Sequence, residues 1–548
     1  MFSYYIEYIC NRKKFVALSE NTPHFKIKSS YINGHFTAEI HTSQKIVINK
    51  FQVIFPYEYK SNQKCFVNGY QSWTDSREYS LNEKMTELTR LKEAVIKIPS
   101  VSKSGVGRSG DVLFYKYPRK KGVFYGYSYG YLRDDKNVDL FASLSEMTGY
   151  TIIKFNAGKS QVIAEKDFEG VTFQGKSELI EYVHLKGEYD YVFDRWFKLM
   201  GIKCIDREQK SGYTTWYNYY RNIDENIVKR DLKSLSKLKE KVDIFQIDDG
   251  YQKSIGDWLN TDEIKFPNGM KTIADEIHKN NMLAGLWLAP FAASKESFIY
   301  KKHRDWLICD DKGELYTAGH NWNGFYAIDF YNKEAADYIR KVFKTILYDW
   351  GYDMVKLDFL YAACLLPMHN KSRGQIMCEA MNFIRECAGN KIIFGCGVPL
   401  MPAFGKVDFC RIGEDVANEW KHHRNMLREV VSTPNTVNCT IFRRGLNKRA
   451  FLNDPDVFLL RDSNMIMDFE QRKLLAKINS IFGSLLFVSD NVDEYNEKQL
   501  AVFTKTIQKK DIKIIKAEFC KKDIICVEYT ENGEYRSFKF NYKTGNLY

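Results

Sequence analysis

Residues 333–358, KEAADYIRKVFKTILYDWGYDMVKLD, hold the repeating unit of the fold. An amphipathic stretch, Lys333–Trp350, runs into a short apolar segment, Met354–Leu357, that ends on the carboxylate of Asp358. The first pattern predicts a helix and the second a buried strand. The pairing recurs from about residue 210 to about 510. Further candidate strands are Tyr213–Trp216, Val242–Ile247, Leu283–Leu288, Ile392–Phe394, Phe409–Ile412, Val437–Thr440 and Leu485–Val488. Helical patterns lie between most of them, including Glu225–Leu238, Met270–Asn280 and Gln375–Ala388. Strand–helix alternation implies parallel strands, and eight such units fit a catalytic (β/α)8 TIM barrel. A doubly wound open sheet is the alternative, but no Gly-rich phosphate turn follows the first strand.

On either side the texture is that of short β-strands. Before about residue 185, Tyr, Phe, Val, Ile and Thr alternate with polar residues, as in Lys45–Phe55 and Tyr150–Phe155, which predicts a large all-β sandwich. After about residue 511 the runs Ile512–Ile515, Ile524–Tyr529 and Tyr535–Phe540 return to this pattern, with a turn at Glu531-Asn532-Gly533. The expected domains are therefore 1–190 (β-sandwich), 191–510 (barrel) and 511–548 (a small antiparallel β-sheet). The whole reads as a multidomain α/β plus β chain.

The composition of the 548 residues is ordinary for a globular protein, with 44% apolar and 27% charged residues. That excludes a disordered or fibrous chain. The net charge of +12 is thinly spread, and basic runs such as Arg119–Lys121 are short, so no nucleic-acid partner is expected. No apolar run approaches a membrane span, the N-terminus does not read as a signal peptide, and no membrane association is expected. The twelve cysteines form no C-x-x-C pair and no zinc-finger spacing. They scatter through apolar segments, which predicts reduced, buried thiols and a cytoplasmic setting. No metal and no cofactor are expected, and the chain is taken as a monomer or small homo-oligomer.

In a barrel of this kind the chemistry collects at the C-terminal ends of the strands. Those positions carry Asp248-Asp249-Gly250-Tyr251 after the second strand, Trp287 on the third and Lys356-Leu357-Asp358 on the fourth. Gly395-Cys396-Gly397 follows the fifth and Arg411-Ile412-Gly413-Glu414-Asp415 the sixth. Lys356 and Asp358 are two apart on a strand and share a face, and the lysine favours the ionised aspartate that a nucleophile needs. Asp415 lies on the loop beyond its strand, where it can approach a substrate from the other side, with Glu414 as its rival. Arg411 is placed to hold a sugar hydroxyl, orient the acid or pair with a barrel carboxylate. Two carboxylates across a pocket with tryptophan walls is the arrangement of glycoside hydrolysis. Asp248 and Asp249 would then hold sugar hydroxyls, and Trp73, Trp216 and Trp287 are candidates to stack on a pyranose.

The segments Asn68-Gly69-Tyr70-Gln71-Ser72-Trp73, Gly212-Tyr213-Thr214-Thr215-Trp216-Tyr217, Ile247-Asp248-Asp249-Gly250-Tyr251 and Phe266-Pro267-Asn268-Gly269-Met270 share a second property. With Gly285–Phe291, Lys356–Phe359, Arg411–Asp415 and Asn453-Asp454-Pro455-Asp456 they stand in the order found in glycoside hydrolase family 36, the α-galactosidases of clan D, which the chain resembles. The resemblance implies an N-terminal β-supersandwich, the barrel and a C-terminal β domain. It implies a retaining, cofactor-free hydrolysis of terminal α-galactosides, with Asp358 as nucleophile and Asp415 as acid/base. It also implies a galactose subsite lined by Asp248, Asp249, Trp287, Lys356 and Arg411, which Trp73 reaches from the N-terminal region. Asp248 and Asp249 would take the 4- and 6-hydroxyls. The segment Gly395–Leu400 resembles the compact bacterial members rather than the long ones, and Cys396 and Gly397 sit where the C2 substituent is expected to be read.

The substrate expected is an oligosaccharide of the melibiose or raffinose type, or a galactosyl glycoconjugate. The alternatives are an α-N-acetylgalactosaminidase, a transglycosylating enzyme like the raffinose synthases, and a carbohydrate-binding relic without activity. The presence of both Asp358 and Asp415 argues against the last.

Overall fold

Eight parallel strands make the expected ring in the computed structural model, which describes residues 2–548 apart from 86, 87, 136, 204–206, 424 and 425. They are β1 (Lys210–Thr214), β2 (Ile244–Ile247), β3 (Leu283–Leu288), β4 (Met354–Leu357), β5 (Ile392–Gly395), β6 (Phe409–Arg411), β7 (Leu452–Asp454) and β8 (Leu485–Val488). The ladder runs in order from β1 to β7, with β8 on the other side of β1. Between β7 and β8 the ring is completed by the Ser484 amide donating to the Asn453 carbonyl at 2.8 Å and the Phe458 amide to the Phe487 carbonyl at 3.0 Å. Strands β2, β4, β5 and β8 are buried at every position, as expected where side chains face either the barrel core or the surrounding helices.

The helices are α1 (Glu225–Ser236), α2 (Gly269–Lys279), α3 (Lys333–Lys344), α4 (Arg373–Ala388), α5 (Leu400–Ala403), α6 (Thr433–Phe442), α7 (Phe469–Phe482) and α8 (Glu497–Ile507). Their starts are set by polar caps. Asp224, Asn332 and Ser372 each accept a backbone N–H of the first turn, and Asp468 with Gln471 makes a capping box at α7.

Two strand expectations are corrected. Val437–Thr440 lies inside α6, every residue of which is buried, so the helix shows no polar face to betray it. A short apolar run does not by itself distinguish strand from helix, but Pro434 in the first turn fits a helix start. The seventh strand is instead Leu452–Asp454. The first strand ends at Thr214, and Trp216 opens a short helical turn, Trp216–Tyr219.

Before the barrel lies a twelve-stranded antiparallel sheet region. Its longest member, His35–Pro56, pairs with Thr172–Glu188 on one side and Ser3–Cys10 on another. After the barrel, Ile512–Lys521, Ile524–Glu531 and Glu534–Asn541 form a three-stranded meander. The expectation of reduced thiols throughout is corrected here. Cys520 and Cys526 stand on adjoining strands with Cα atoms 5.8 Å apart and are joined by a disulfide. Cys309 is free but exposed, Cys378 and Cys387 are half-buried, and Cys204 lies outside the described residues. No helix among the described residues is long and apolar enough to cross a membrane.

Candidate active site

Strand β4 sets the centre. Lys356 and Asp358 share a face at the barrel mouth, where Lys356 is buried and Asp358 half-buried. The Lys356 ammonium donates to Asp248 Oδ2 at 2.9 Å rather than to Asp358. Asp358 is held by two other donors. The Trp287 indole N–H reaches Oδ2 at 3.1 Å, and the amide of Phe359 reaches Oδ1 at 2.9 Å. Phe359 has φ +53, a left-handed conformation that turns the chain sharply behind the carboxylate.

Burial pushes the Asp358 carboxyl above its ordinary range; the Lys356 charge opposes this, and the charge of Asp415 adds to it. The two carboxylates therefore share one electrostatic environment. Lys356 itself is held above its ordinary value because Asp248 and Asp358 outweigh its burial.

Asp415 stands beyond β6, its side chain 38% exposed, and accepts from Arg411 Nη1 at 2.7 Å. Its rival Glu414 faces the other way. It is 1% exposed, its Oε2 accepts from the Cys439 thiol at 3.8 Å, and burial pushes its carboxyl well above the usual range.

The two aspartates after β2 are likewise separated in role by their partners. Asp248 takes hydrogen bonds from Lys356 and from Gln246 Nε2 at 2.7 Å. Asp249 takes them from Gln252 Nε2 at 2.6 Å and from the Trp322 indole at 3.1 Å. Trp322 carries no sequence signal. It lies in a three-stranded insertion, Ala292–Ser294, Thr317–Gly319 and Phe325–Ala327, and adopts φ +52. Its ring packs against Trp287 and Phe359 at 6.1 and 4.8 Å. The sequence reading also gave no role to Tyr217, Asp454 and Asp456, which gather around Arg411.

Trp73 does reach the barrel from the N-terminal sheet region. Its indole N–H donates to Cys396 Sγ at 3.3 Å, and its ring lies edge-on to Phe359 at 5.1 Å. Gly397, at φ +58, lies directly under it, so that a Cβ there would come within 2.8 Å of the ring. Arg443, fully buried at the end of α6, holds this arrangement. It donates to Asn68 Oδ1, the carbonyls of Gln71 and Ser72, and the carbonyl of Ile412. Of the expected residues, Trp216 is the one not drawn into the network. It is half-buried, its ring meets Tyr220 at 5.2 Å, and no ring contact or side-chain hydrogen bond among the described residues joins it to the carboxylates.

Part of this site, from Asp248 to Asp358, lies within a stretch that a known family shares: the melibiase model matches residues 205–373. An α-galactosidase of Thermus thermophilus, solved with p-nitrophenyl α-D-galactopyranoside, superposes with TM-score 0.71 at 21% identity, over 97% of this chain and 98% of that one. The chain resembles the α-galactosidases of glycoside hydrolase family 36. The family 36 α-galactosidase AgaA of Geobacillus stearothermophilus shares the fold with TM-score 0.60 at 12% identity, over 96% of this chain and 80% of its own. Among curated proteins, an α-galactosidase of Escherichia coli is 29% identical over 151 residues, which is 26% of this chain and 20% of that protein. The aligned stretch thus spans about a fifth of the length of the curated relatives it matches. The solved neighbours agree with the barrel, the large antiparallel region before it and the small sheet after it.

Proposed function

We propose that the protein is a retaining α-galactosidase acting on terminal, non-reducing α-D-galactosides. The observation that carries this reading is Asp358 at the barrel mouth, lifted by burial and by the charge of Asp415 and held by the Trp287 indole, with Asp415 held by Arg411. In this reading ionised Asp358 attacks C1 of the galactoside, and the bond from C1 to the glycosidic oxygen breaks. That oxygen takes the proton of Asp415. A water then gives its proton to Asp415 and its oxygen to C1, which frees Asp358 and releases α-galactose.

The other residues have binding roles in the same reading. Asp248, Asp249 and Lys356 hold ring hydroxyls, Trp287 forms a wall and orients Asp358, and Arg411 orients Asp415. The loop Gly395–Gly397 reads C2, and its packing under Trp73 favours a hydroxyl there over a bulkier acetamido group. The division of the chain at residues 190 and 510 belongs to the same reading. Relatives support the substrate class: the Thermus enzyme has been solved with stachyose as well as with the nitrophenyl galactoside.

The test is paired hydrolysis of nitrophenyl α-galactoside and nitrophenyl α-N-acetylgalactosaminide. The galactoside should be cleaved and the other left nearly untouched. Proton NMR should show the α anomer first; an initial β anomer excludes retention. Asp358→Ala should cut turnover by at least about a thousandfold with the fold intact. Wild-type turnover in that variant removes Asp358 from the role. Product analysis with an added acceptor sugar measures how much of the intermediate goes to transfer.

A further inference from the structure

Arg411 meets three carboxylates at once. Nη1 lies 2.7 Å from Asp415, Nε 2.6 Å from Asp454 and Nη2 2.6 Å from Asp456. One cation thus serves three anions, and two of them, Asp454 and Asp456, are 1% and 0% exposed. Such a surplus of buried negative charge is costly unless other donors complete it. Asp456 has them. Its Oδ2 accepts from the Tyr217 hydroxyl at 2.5 Å and from the amide of Val416 at 2.7 Å. Val416 is the residue directly after Asp415.

Asp456 therefore meets both flanks of Asp415, ion-paired with the guanidinium that Asp415 shares and hydrogen-bonded to the backbone that carries it on. Its own backbone is pinned as well. It stands at φ +70, its amide donates to Asp454 Oδ1 at 3.0 Å, and its carbonyl accepts from Asn479 at 3.0 Å. A residue in that region of backbone space is retained where its surroundings over-determine it.

We propose that Asp456 is a positioning residue for the acid/base: by gripping Arg411 and the Val416 amide together, it aims the Asp415 carboxyl at the glycosidic oxygen. This rests on the reading of Asp415 given above. Charge acts alongside geometry. The groups facing Asp456 are Arg411, Asp415, Asp454 and Tyr217. Burial pushes Asp456 up to about 7, Arg411 opposes this, and the charges of Asp415 and Asp454 add to it. In Asp456→Asn the new NH2 must face a donor whichever way the amide is turned, Arg411 on one side or Tyr217 and Val416 on the other. The variant also removes an anion near Asp415 and leaves it a larger share of the guanidinium.

The experiment compares two substrates. Methyl α-galactoside leaves as an alkoxide that needs a proton; dinitrophenyl α-galactoside has a leaving group that does not. For Asp456→Asn we expect a loss of about tenfold to a hundredfold in kcat on the methyl glycoside and less than about threefold on the dinitrophenyl one. The alkaline limb of the pH profile should move from its wild-type position. Tyr217→Phe, which keeps the Asp456 charge, should show the same substrate pattern with a smaller loss, and it decides the matter if Asp456→Asn fails to fold. Equal losses on both substrates with a wild-type pH profile overturn the assignment, and so does wild-type turnover on both. A wild-type protein that cleaves neither substrate overturns the reading of the whole site, and this assignment with it.

Discussion

Trp73 and Cys396 lie 323 residues apart in sequence, and the indole N–H of the first donates to the thiol sulfur of the second at 3.3 Å. Cys396 in turn feels the charge of Asp358. A residue of the N-terminal sheet region is thereby part of the wall behind the carboxylate on β4. Trp73→Phe keeps an aromatic ring and loses the donor. The expected result is a rise in KM for nitrophenyl α-galactoside of about fivefold, the size of one net hydrogen bond, with kcat less affected.

Lys356 sets the acid side of the pH profile. Burial raises Asp358 and Lys356 is the main group opposing it. Without that cation the carboxyl keeps its proton to higher pH, and the proposed nucleophile is lost earlier as pH falls. Lys356→Met should move the acid limb of kcat/KM toward neutral and cost more at about pH 5 than at about pH 7. A loss that is uniform across pH assigns Lys356 to substrate binding alone.

Gly397 has no room for a side chain. Its φ is +58, and a Cβ would stand 2.8 Å from the Trp73 ring and 3.0 Å from the Phe359 amide nitrogen. Gly397→Ala should lower stability by about 1–3 kcal/mol for the backbone conformation and displace Trp73 or Phe359. Urea unfolding reads the first and a raised KM the second. An alanine variant with wild-type values in both removes the close approach as a constraint.

Glu429 makes folding sensitive to pH away from the chemistry. Burial, with Asp111 nearby, lifts its carboxyl from 4.5 to about 7 while Arg428 opposes. A carboxyl raised by folding binds its proton more tightly in the native state. Its contribution is therefore favourable at low pH and is lost as pH rises from about 4.5 through about 7. Glu429→Gln should show a smaller drop in Tm between about pH 5 and about pH 8 than the wild type. A drop of equal size in both excludes Glu429 as its source.

The barrel was legible because its strands end on charged or small residues and its helices are amphipathic, as at Met354–Leu357 and Lys333–Lys344. The misreading at Val437–Thr440 has a physical cause: a helix buried on all sides has no period to detect. The carboxylates and Arg411 stood out because strand ends are where such residues gather. Trp322 did not, because its place depends on a left-handed turn in an insertion and on a partner, Asp249, 73 residues earlier in the chain. The disulfide between Cys520 and Cys526 was hidden for a similar reason. Their pairing follows from the register of two strands across a tight turn and not from any cysteine motif.

Arg443 ties the two halves of the molecule with one side chain, three of its acceptors belonging to residues 68–72 and one to Ile412. Excising the barrel would strand that guanidinium inside it with most of its acceptors gone, while the cut sheet would keep Trp73 with nothing to lean on. The pocket is thus a joint construction, and a shorter fragment bearing every carboxylate would still leave it unfinished.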